Sequence, residues 1–444
     1  MNNLPAPRGI VAVLGLFGLL GLSVIGCGEC PVGGPALARA EGPAQADSDG
    51  LVASVEPDWP QWRGPRRDGI SDETGLLPAW PEGGPKLLWK KDQLGAGWSS
   101  PVVVGDRLFV TGDVDDDLVV FAFDLDGKLQ WQATNGKAWK GSYPGARASC
   151  AYSEGRLYHA NAHGRVACFD AADGKPLWAV DTLEQFQGRE ITWGLSECLL
   201  VDGPRVIVTP GGDKALMAAL DKKSGRTVWT TEPLAGDRAT HSSPILFRYA
   251  GRRLLANCSS GHGFGVDADT GKLLWTVPLR NAYGVNVTTP VYGSGSIFYV
   301  TAYTPAWLYR LRPDVQGIRA QPGWTNSLDT VTGGAILVDD RMYISGYRKS
   351  KWWLAIDWKT GLARYELKDV TTGAAVYAEG RLYCLAEDGR AALLKPTADG
   401  FQIAGQFRLV PQKTHDAWAH PVLLHGRLYL RYHDTLWCYD VRAK

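Results

Sequence analysis

Eight aromatic, basic or polar side chains stand just ahead of predicted β-strands and recur along the chain. Indole and guanidinium groups stack on flat ligands, whereas imidazole and amide groups form hydrogen bonds. If the fold brings these positions to one opening, they could bind a small planar or sugar-like ligand, or a peptide. The alternative is that they are packing residues at a rim. These candidate ligand-binding residues are Trp98, Arg147, Trp193, His241, Asn286, His415, Trp418 and His420.

No catalytic motif accompanies these residues. The sequence contains no Gly-x-Ser-x-Gly, His-Glu-x-x-His or phosphate-loop pattern. The acidic run Asp113–Asp117 lacks the glycine and glutamate that complete an EF-hand loop, so we interpret it as a solvated turn. His163 and His262 fall in equivalent turns of different repeats and are too isolated in sequence to be assigned as metal ligands, so we interpret them as surface-turn residues. We therefore predict no catalytic residue and no metal site.

The elements that must position the candidate residues are copies of one unit. Its clearest copy is Asp267-Ala-Asp-Thr-Gly-Lys-Leu-Leu-Trp275, and residues 170–178 and 221–229 follow the same pattern. The glycine suits a turn with positive φ, and the flanking residues suit two antiparallel strands. The repeated aspartate is best explained as a turn cap. One upstream position aligns in eight copies that are 40 to 49 residues apart: Pro101, Cys150, Cys198, Pro244, Pro290, Ala335, Ala375 and Pro421.

Four antiparallel strands, here named A to D, repeated at this period predict an all-β, eight-bladed β-propeller. The eighth repeat stops near Asp440, before its strand D. Near the other end, Gly84-Pro-Lys-Leu-Leu-Trp89 reads as a strand D without strands A to C. We therefore expect strand 84–91 to pair with residues 435–440, which closes the ring and removes two free sheet edges. Residues 84–444 form the predicted propeller, with the candidate residues on one face around its axis.

Composition fits this fold and argues against one class of partner. The 444 residues include 53 glycines and 18 tryptophans, as expected for a turn-rich β-protein with aromatic repeats. Lysine and arginine number 47 against 46 acidic residues, so the charge offers no reason to expect nucleic acid binding. We interpret the cysteines in predicted strands as small buried hydrophobes, with disulfide pairing as the alternative. They are Cys150, Cys168, Cys198, Cys258, Cys384 and Cys438.

The N-terminus has the features of an export signal. An uncharged apolar run from Ile10 to Ile25 is short for a transmembrane helix and suits a signal peptide. Val24-Ile25-Gly26-Cys27 follows and resembles a bacterial lipobox, which predicts a signal peptide over residues 1–27 and lipidation at Cys27. Cleavage after Ala38-Arg39-Ala40, or an uncleaved anchor, are the alternatives. Residues 28–57 are predicted to be a flexible tether, and residues 58–83 a segment that packs on the propeller.

The repeats resemble those of a known family. The segment from Val266 to Trp275 is similar to the pyrroloquinoline-quinone (PQQ) repeat, and the segment Asp58 to Ser71 resembles the one that precedes its first blade. The resemblance covers about residues 58–442 and implies the propeller fold. It leaves the activity open, because one fold carries many functions.

Two branches of that family have different functions. Quinoprotein dehydrogenases bind PQQ and calcium over the axis, whereas the lipoprotein of the outer-membrane β-barrel assembly machinery is a cofactor-free scaffold. The chain has no vicinal cysteine pair, no recognisable Glu/Asn/Asp calcium set and no long insertions. The resemblance therefore implies a scaffold at the periplasmic face of the cell envelope. Its partners would be envelope proteins or peptides, and it would contact the membrane only through its lipid. A PQQ- and calcium-dependent oxidoreductase and a carbohydrate-binding or carbohydrate-active propeller are the alternatives.

Overall fold

The repeats fold into eight antiparallel blades of four strands, arranged as a β-propeller, and a short N-terminal strand adds a fifth strand to the sheet of blade 4. The computed structural model describes residues 48–234, 236–315, 317–331 and 334–443. The predicted signal peptide, its lipidated Cys27 and the predicted tether up to residue 47 lie outside these residues. The first two strands, β1 (Gly50–Leu51) and β2 (Lys86–Lys91), precede the first continuous blade. The predicted fold is thus confirmed.

Blades 1 to 4 follow one another along the chain, each with strands A to D in order. Blade 1 comprises β3 (Val102–Val104), β4 (Arg107–Val114), β5 (Asp117–Asp124) and β6 (Leu129–Lys137). Blade 2 comprises β7 (Ala151–Ser153), β8 (Arg156–Ala160), β9 (Arg165–Asp170) and β10 (Pro176–Asp181), followed by the short helix α1 (Thr182–Phe186). Blade 3 comprises β11 (Leu200–Asp202), β12 (Arg205–Val208), β13 (Ala218–Asp221) and β14 (Thr227–Thr230). Blade 4 comprises β15 (Ile245–Tyr249), β16 (Arg252–Cys258), β17 (His262–Asp267) and β18 (Leu273–Pro278).

Blades 5 to 8 complete the ring. Blade 5 comprises β19 (Val291–Gly293), β20 (Ser296–Tyr299), β21 (Ala306–Asp314) and β22 (Gly317–Asn326). Blade 6 comprises β23 (Ile336–Val338), β24 (Arg341–Ser345), β25 (Trp352–Asp357) and β26 (Ala363–Thr371). Blade 7 comprises β27 (Gly373–Ala378), β28 (Arg381–Ala386), β29 (Arg390–Pro396) and β30 (Phe401–Arg408). Blade 8 comprises β31 (Val422–Leu424), β32 (Arg427–Tyr432), β33 (Thr435–Asp440) and β2. Among the described residues, no helix is long and apolar enough to span a bilayer.

The ring closes through the two chain ends, as the split repeat predicts. Strand β2 pairs antiparallel with β33, with Lys86 opposite Asp440 and Lys91 opposite Leu436. The Trp89 indole N–H then reaches blade 1, where the Leu125 carbonyl accepts it at 2.8 Å. Blade 8 therefore has the same four-strand order and the same contact to its neighbour as a continuous blade.

The repeated tryptophan joins one blade to the next. Trp131 in blade 1 donates its indole N–H to the Ala171 carbonyl of blade 2 at 3.1 Å, and Trp178 does the same to Lys222 of blade 3. Under the Trp131 ring lies the turn residue Gly174, at φ +76°, where a Cβ would come within 2.5 Å of the indole. The turn needs glycine for its left-handed backbone and for the close approach of this ring.

The repeated aspartate caps the same turn, as predicted. Asp267 Oδ1 accepts the backbone N–H groups of Asp269 and Thr270 at 3.2 and 3.0 Å, and the Thr270 hydroxyl at 2.9 Å. Asp221 accepts the backbone N–H and hydroxyl of Ser224 in the same way. The Asp–Gly–Trp unit is therefore a device that stabilises turns and joins blades.

The N-terminal segment runs across the axis on the face of the A–B turns. Its backbone bridges at Trp59 to Val103 of blade 1, and at Ile70 to Tyr377 of blade 7. The described end of the predicted tether also packs on the propeller, because β1 pairs with β15 of blade 4. One face of the ring is therefore covered by the chain's own N-terminal segment.

The six cysteines of the described chain lie inside the sheets. Each is buried, and none of them is joined in a disulfide. Burial raises the pKa of the Cys258 thiol to about 12, so it stays protonated and behaves as a small hydrophobe. This agrees with the first of the two interpretations drawn from the sequence.

Candidate functional site

A cavity of about 390 Å³ opens on the propeller axis, on the face formed by the D–A and B–C loops. We call it the axial cavity. Six of the eight candidate residues line it: Trp98, Arg147, Trp193, His241, Trp418 and His420. Aromatic rings from other loops complete its walls: Trp62, Tyr143, Tyr283, Tyr303 and Tyr347.

One wall is built by loops of blades 1 and 8. The Trp98 and Trp418 rings have centroids 5.0 Å apart, and Tyr143 lies 5.3 Å from Trp418. Arg147 stacks on Trp98 at 5.2 Å and donates hydrogen bonds to the carbonyls of Trp193 and Tyr143, both at 2.7 Å. Burial lowers the pKa of Arg147 to about 10, so it remains a cation at neutral pH. The guanidinium thus holds two loops together and places a fixed positive charge on the cavity.

The opposite wall is formed by loops of blades 3, 5 and 6. Tyr283 lies edge-on to Trp193 at 6.3 Å and 5.2 Å from Tyr303. Arg348, which is exposed, stacks over the Tyr303 ring at 4.6 Å. Tyr283 itself is 58% exposed. These rings therefore form an accessible aromatic surface with a second cation on it.

The floor of the axial cavity is formed by the N-terminal segment and by buried polar residues that lie just before strands A. Trp62 makes an edge contact with His420 at 5.0 Å. Burial, together with the nearby Arg63, lowers the pKa of His420 well below its usual value, so the imidazole is neutral. Thr288 and Thr289 also line the cavity, and each is 4% exposed.

A serine and a histidine on the cavity surface are hydrogen bonded, which raises the question of nucleophilic catalysis. Ser196 Oγ and His241 Nδ1 are 2.7 Å apart. A serine nucleophile needs a base that takes up a proton near neutral pH. Burial, with a smaller effect of Arg147, lowers the pKa of His241 to about 3. No described carboxylate orients the ring, so the pair lacks the properties of a catalytic dyad.

Two candidate residues do not line the cavity. Asn286 is fully buried, and its amide donates hydrogen bonds to the carbonyls of Ser259 and Leu279 at 2.5 and 3.0 Å. His415 is exposed and stacks on His433, with ring centroids 3.7 Å apart. Asn286 therefore fixes the D–A loop before blade 5 to blade 4. His415 belongs to a separate surface of blade 8.

Several lining residues were missed because they come from loops of variable length. Tyr283 lies in a D–A loop, while Tyr303, Tyr347 and Arg348 lie in B–C loops. The stretch from Tyr347 to Trp353 is rich in basic and aromatic residues, a composition that suits either partner contact in an exposed loop or a hairpin with a buried tryptophan. The structure divides it, since Tyr347 and Arg348 face the cavity whereas Trp353 is 2% exposed in blade 6.

The lining residues do not fit a calcium-bound quinone. Calcium requires about six to eight oxygen ligands, mostly carboxylates and carbonyls. None of the lining residues that the structure describes carries a carboxylate or a side-chain amide. Among all the residues that the structure describes, no cluster of His, Cys, Asp and Glu side chains could hold a metal ion. The donors present are hydroxyl, imidazole and guanidinium groups, which suit an anion better than a cation.

Comparison with known proteins places the chain among the propellers with PQQ repeats. Residues 119–361, more than half of the chain, match the family model described as outer membrane protein assembly factor BamB. The curated BamB of Shewanella oneidensis is 25% identical over 55% of this chain and 60% of its own length. The 1-butanol dehydrogenase (quinone) of Thauera butanivorans is 29% identical over 32% of this chain and 25% of its own length. The chain thus matches less than two thirds of either relative.

Solved structures share the fold at low sequence identity. BamB from Moraxella catarrhalis superposes with a TM-score of 0.56 at 15% identity, over 81% of this chain and 98% of its own. Quinohemoprotein alcohol dehydrogenase from Comamonas testosteroni gives a TM-score of 0.61 at 14% identity, over 87% of this chain and 81% of its own. BamB and an alcohol dehydrogenase therefore match the ring about equally well, so the shared fold does not separate their functions.

Proposed function

The chain belongs to the family described as outer membrane protein assembly factor BamB, and on that premise we propose that it is a binding or scaffolding module of the cell envelope. The observation that carries the proposal is the composition of the axial cavity. Its walls are aromatic and cationic. Among the described residues, no group of His, Cys, Asp and Glu side chains could hold a metal ion. Such a surface suits the binding of ligands or partner residues by stacking and charge.

The proposal includes a location and a means of attachment. The apolar run and the lipobox-like Cys27 support export and lipidation, which would place the propeller at the periplasmic face of the envelope. The partners would then be envelope proteins or peptides that contact the accessible face of the ring. The other face is covered by the N-terminal segment, so the axial cavity and its loops are the surface available for recognition.

Photo-crosslinking in cells tests this function. A photoreactive phenylalanine analogue replaces Tyr347 at the cavity, or Leu362 on the outer edge of blade 6, which is 67% exposed. We expect position 347 to give a cross-linked protein or an added ligand mass in the membrane pellet, and position 362 to give neither. A Cys27→Ser variant should release the chain from that pellet.

The same experiment has clear contrary results. Equal labelling at both positions would show that the cavity has no special role in recognition. A chain that remains in the cytoplasm would contradict the proposed location. The sedimentation of the unlabelled full-length chain serves as the reference for both outcomes.

A further inference from the structure

Three buried polar groups in the axial cavity lack a partner. The hydroxyls of Thr288 and Thr289 and the Nδ1 atom of His420 make no hydrogen bond with any described group. Their residues are 4%, 4% and 8% exposed, and all three line the cavity. A buried polar group without a partner is costly, so such groups are usually satisfied by something bound. These groups indicate a ligand with a polar atom at the floor.

The charge of the cavity selects an anion. Arg147 and Arg348 contribute two positive charges, while His241 and His420 are neutral. Glu387, outside the lining, accepts the Trp418 indole N–H at 3.0 Å. The described lining contains no carboxylate, although Asp113 acts on Arg147 and Asp329 accepts the Arg348 backbone N–H at 3.3 Å from outside it. A quaternary ammonium ligand would therefore meet aromatic rings but no carboxylate within the lining. A carboxylate would gain charge-assisted hydrogen bonds from a guanidinium.

The uncharged residues of the lining favour a flat ligand with few hydroxyl groups. Stacking surfaces alone would suit either an aromatic ring or a sugar. A sugar also needs acceptors for its many hydroxyl groups, and the described lining has no Asp, Glu, Asn or Gln side chain to supply them. An aromatic ring needs only the stacking surfaces, and a single polar substituent would reach the floor.

We infer that the axial cavity binds an aromatic carboxylate that carries a second polar oxygen, and that it does so without a metal ion. The ring packs on the tryptophan and tyrosine walls, Arg348 binds the carboxylate, and the threonine hydroxyls of the floor bind the second oxygen. This inference rests on the proposed function, because it names the ligand class of the same cavity.

Calorimetric titration of the purified protein in EDTA tests the inference, with 6-hydroxy-2-naphthoate as the probe. Its matched probe is 2-naphthol, which has the same ring and hydroxyl but no carboxylate. The wild-type protein should bind the naphthoate about tenfold more tightly than 2-naphthol, as expected for one charge-assisted contact. Arg348→Gln should remove that difference and leave 2-naphthol binding unchanged.

Two further variants separate a local effect from a general one. Arg226→Gln changes an exposed arginine on the C–D turn of blade 3 and should bind both probes like the wild type. The double variant Thr288→Val/Thr289→Val keeps the side-chain shapes and should weaken both probes several-fold, since both carry the hydroxyl.

Specific results would overturn the inference. Equal affinity of the wild type for the two probes, an unchanged naphthoate affinity in Arg348→Gln, or no binding up to about 1 mM would each contradict it. If no probe binds while position 347 still cross-links in the envelope, only the ligand class is wrong. If the protein oxidises alcohols with a quinone, the proposed function is wrong.

Discussion

Replacement of Trp275 by alanine should lower the free energy of unfolding by about 3–5 kcal/mol, as for other large-to-small changes in protein cores. The indole is 5% exposed and lies between blades 4 and 5. Its N–H reaches the Tyr299 hydroxyl at 3.3 Å, and its ring covers Gly265 so closely that a Cβ there would come within 2.0 Å. Alanine would leave a cavity and remove the contact between the blades. Urea unfolding followed by circular dichroism measures the loss.

A matched aromatic change serves as the control. Tyr283 is 58% exposed at the cavity rim, so Tyr283→Ala should change stability by less than about 0.5 kcal/mol. An unchanged midpoint for Trp275→Ala would show that the repeated tryptophan does not join the blades. Equal losses in the two variants would show that the effect is not specific to the joint.

Replacement of Arg67 by methionine should cost about 2–4 kcal/mol, because it removes several buried hydrogen bonds at once. Arg67 is 3% exposed and donates to the carbonyls of Cys198 and Leu199 at 2.7 and 2.9 Å, and to Gln61 at 3.1 Å. Methionine has a similar length but no donor, so the acceptors on strand A of blade 3 would lose this partner. Thermal and urea unfolding should both show the loss.

The neighbouring arginine provides the control for this change. Arg66 is partly exposed and pairs at 2.9 Å with Asp68, whose side chain is 12% exposed, and at 2.7 Å with Asp72, whose side chain is 75% exposed. Ion pairs that remain in contact with solvent contribute about 0–1 kcal/mol, so Arg66→Met should cost less stability than Arg67→Met. If both variants lose the same stability, the N-terminal segment is not held at the axis by Arg67.

The fold could be predicted because its determinants are local. The aspartate cap, the turn glycine and the tryptophan occur within nine residues of each copy, as in residues 267–275. Each of these residues makes its contact within one turn or with the next blade, so each repeated sequence unit forms the same turn and the same joint between blades. The pairing of β2 with β33 followed from the same logic, since the two incomplete copies add up to one blade.

The site could be predicted only in part, because its side chains come from segments that do not repeat. Positions just before strand A, such as Trp98 and Trp418, reach the axis whatever their loop length. Asn286 occupies such a position, but its amide satisfies two backbone carbonyls and stays buried. Trp62 could not be placed from the repeats, because it belongs to a segment that crosses the axis before the first blade begins.

The choice between binding module and oxidoreductase depends on the axial cavity. The ring itself is shared with BamB and with a quinohemoprotein alcohol dehydrogenase, at TM-scores of 0.56 and 0.61. The described lining lacks the oxygen ligands that calcium needs and the base that would take a proton from an alcohol. The proposed binding role rests on the groups that this lining presents, which are aromatic rings, hydroxyls and guanidinium groups.

Dye-linked oxidation of primary alcohols by the purified full-length protein, supplied with PQQ and calcium, tests this central claim most directly. We expect no turnover above that of PQQ and calcium alone, and no effect of removing calcium with EDTA. Turnover that requires the protein, the quinone and calcium together would contradict the proposal and identify the chain as an oxidoreductase.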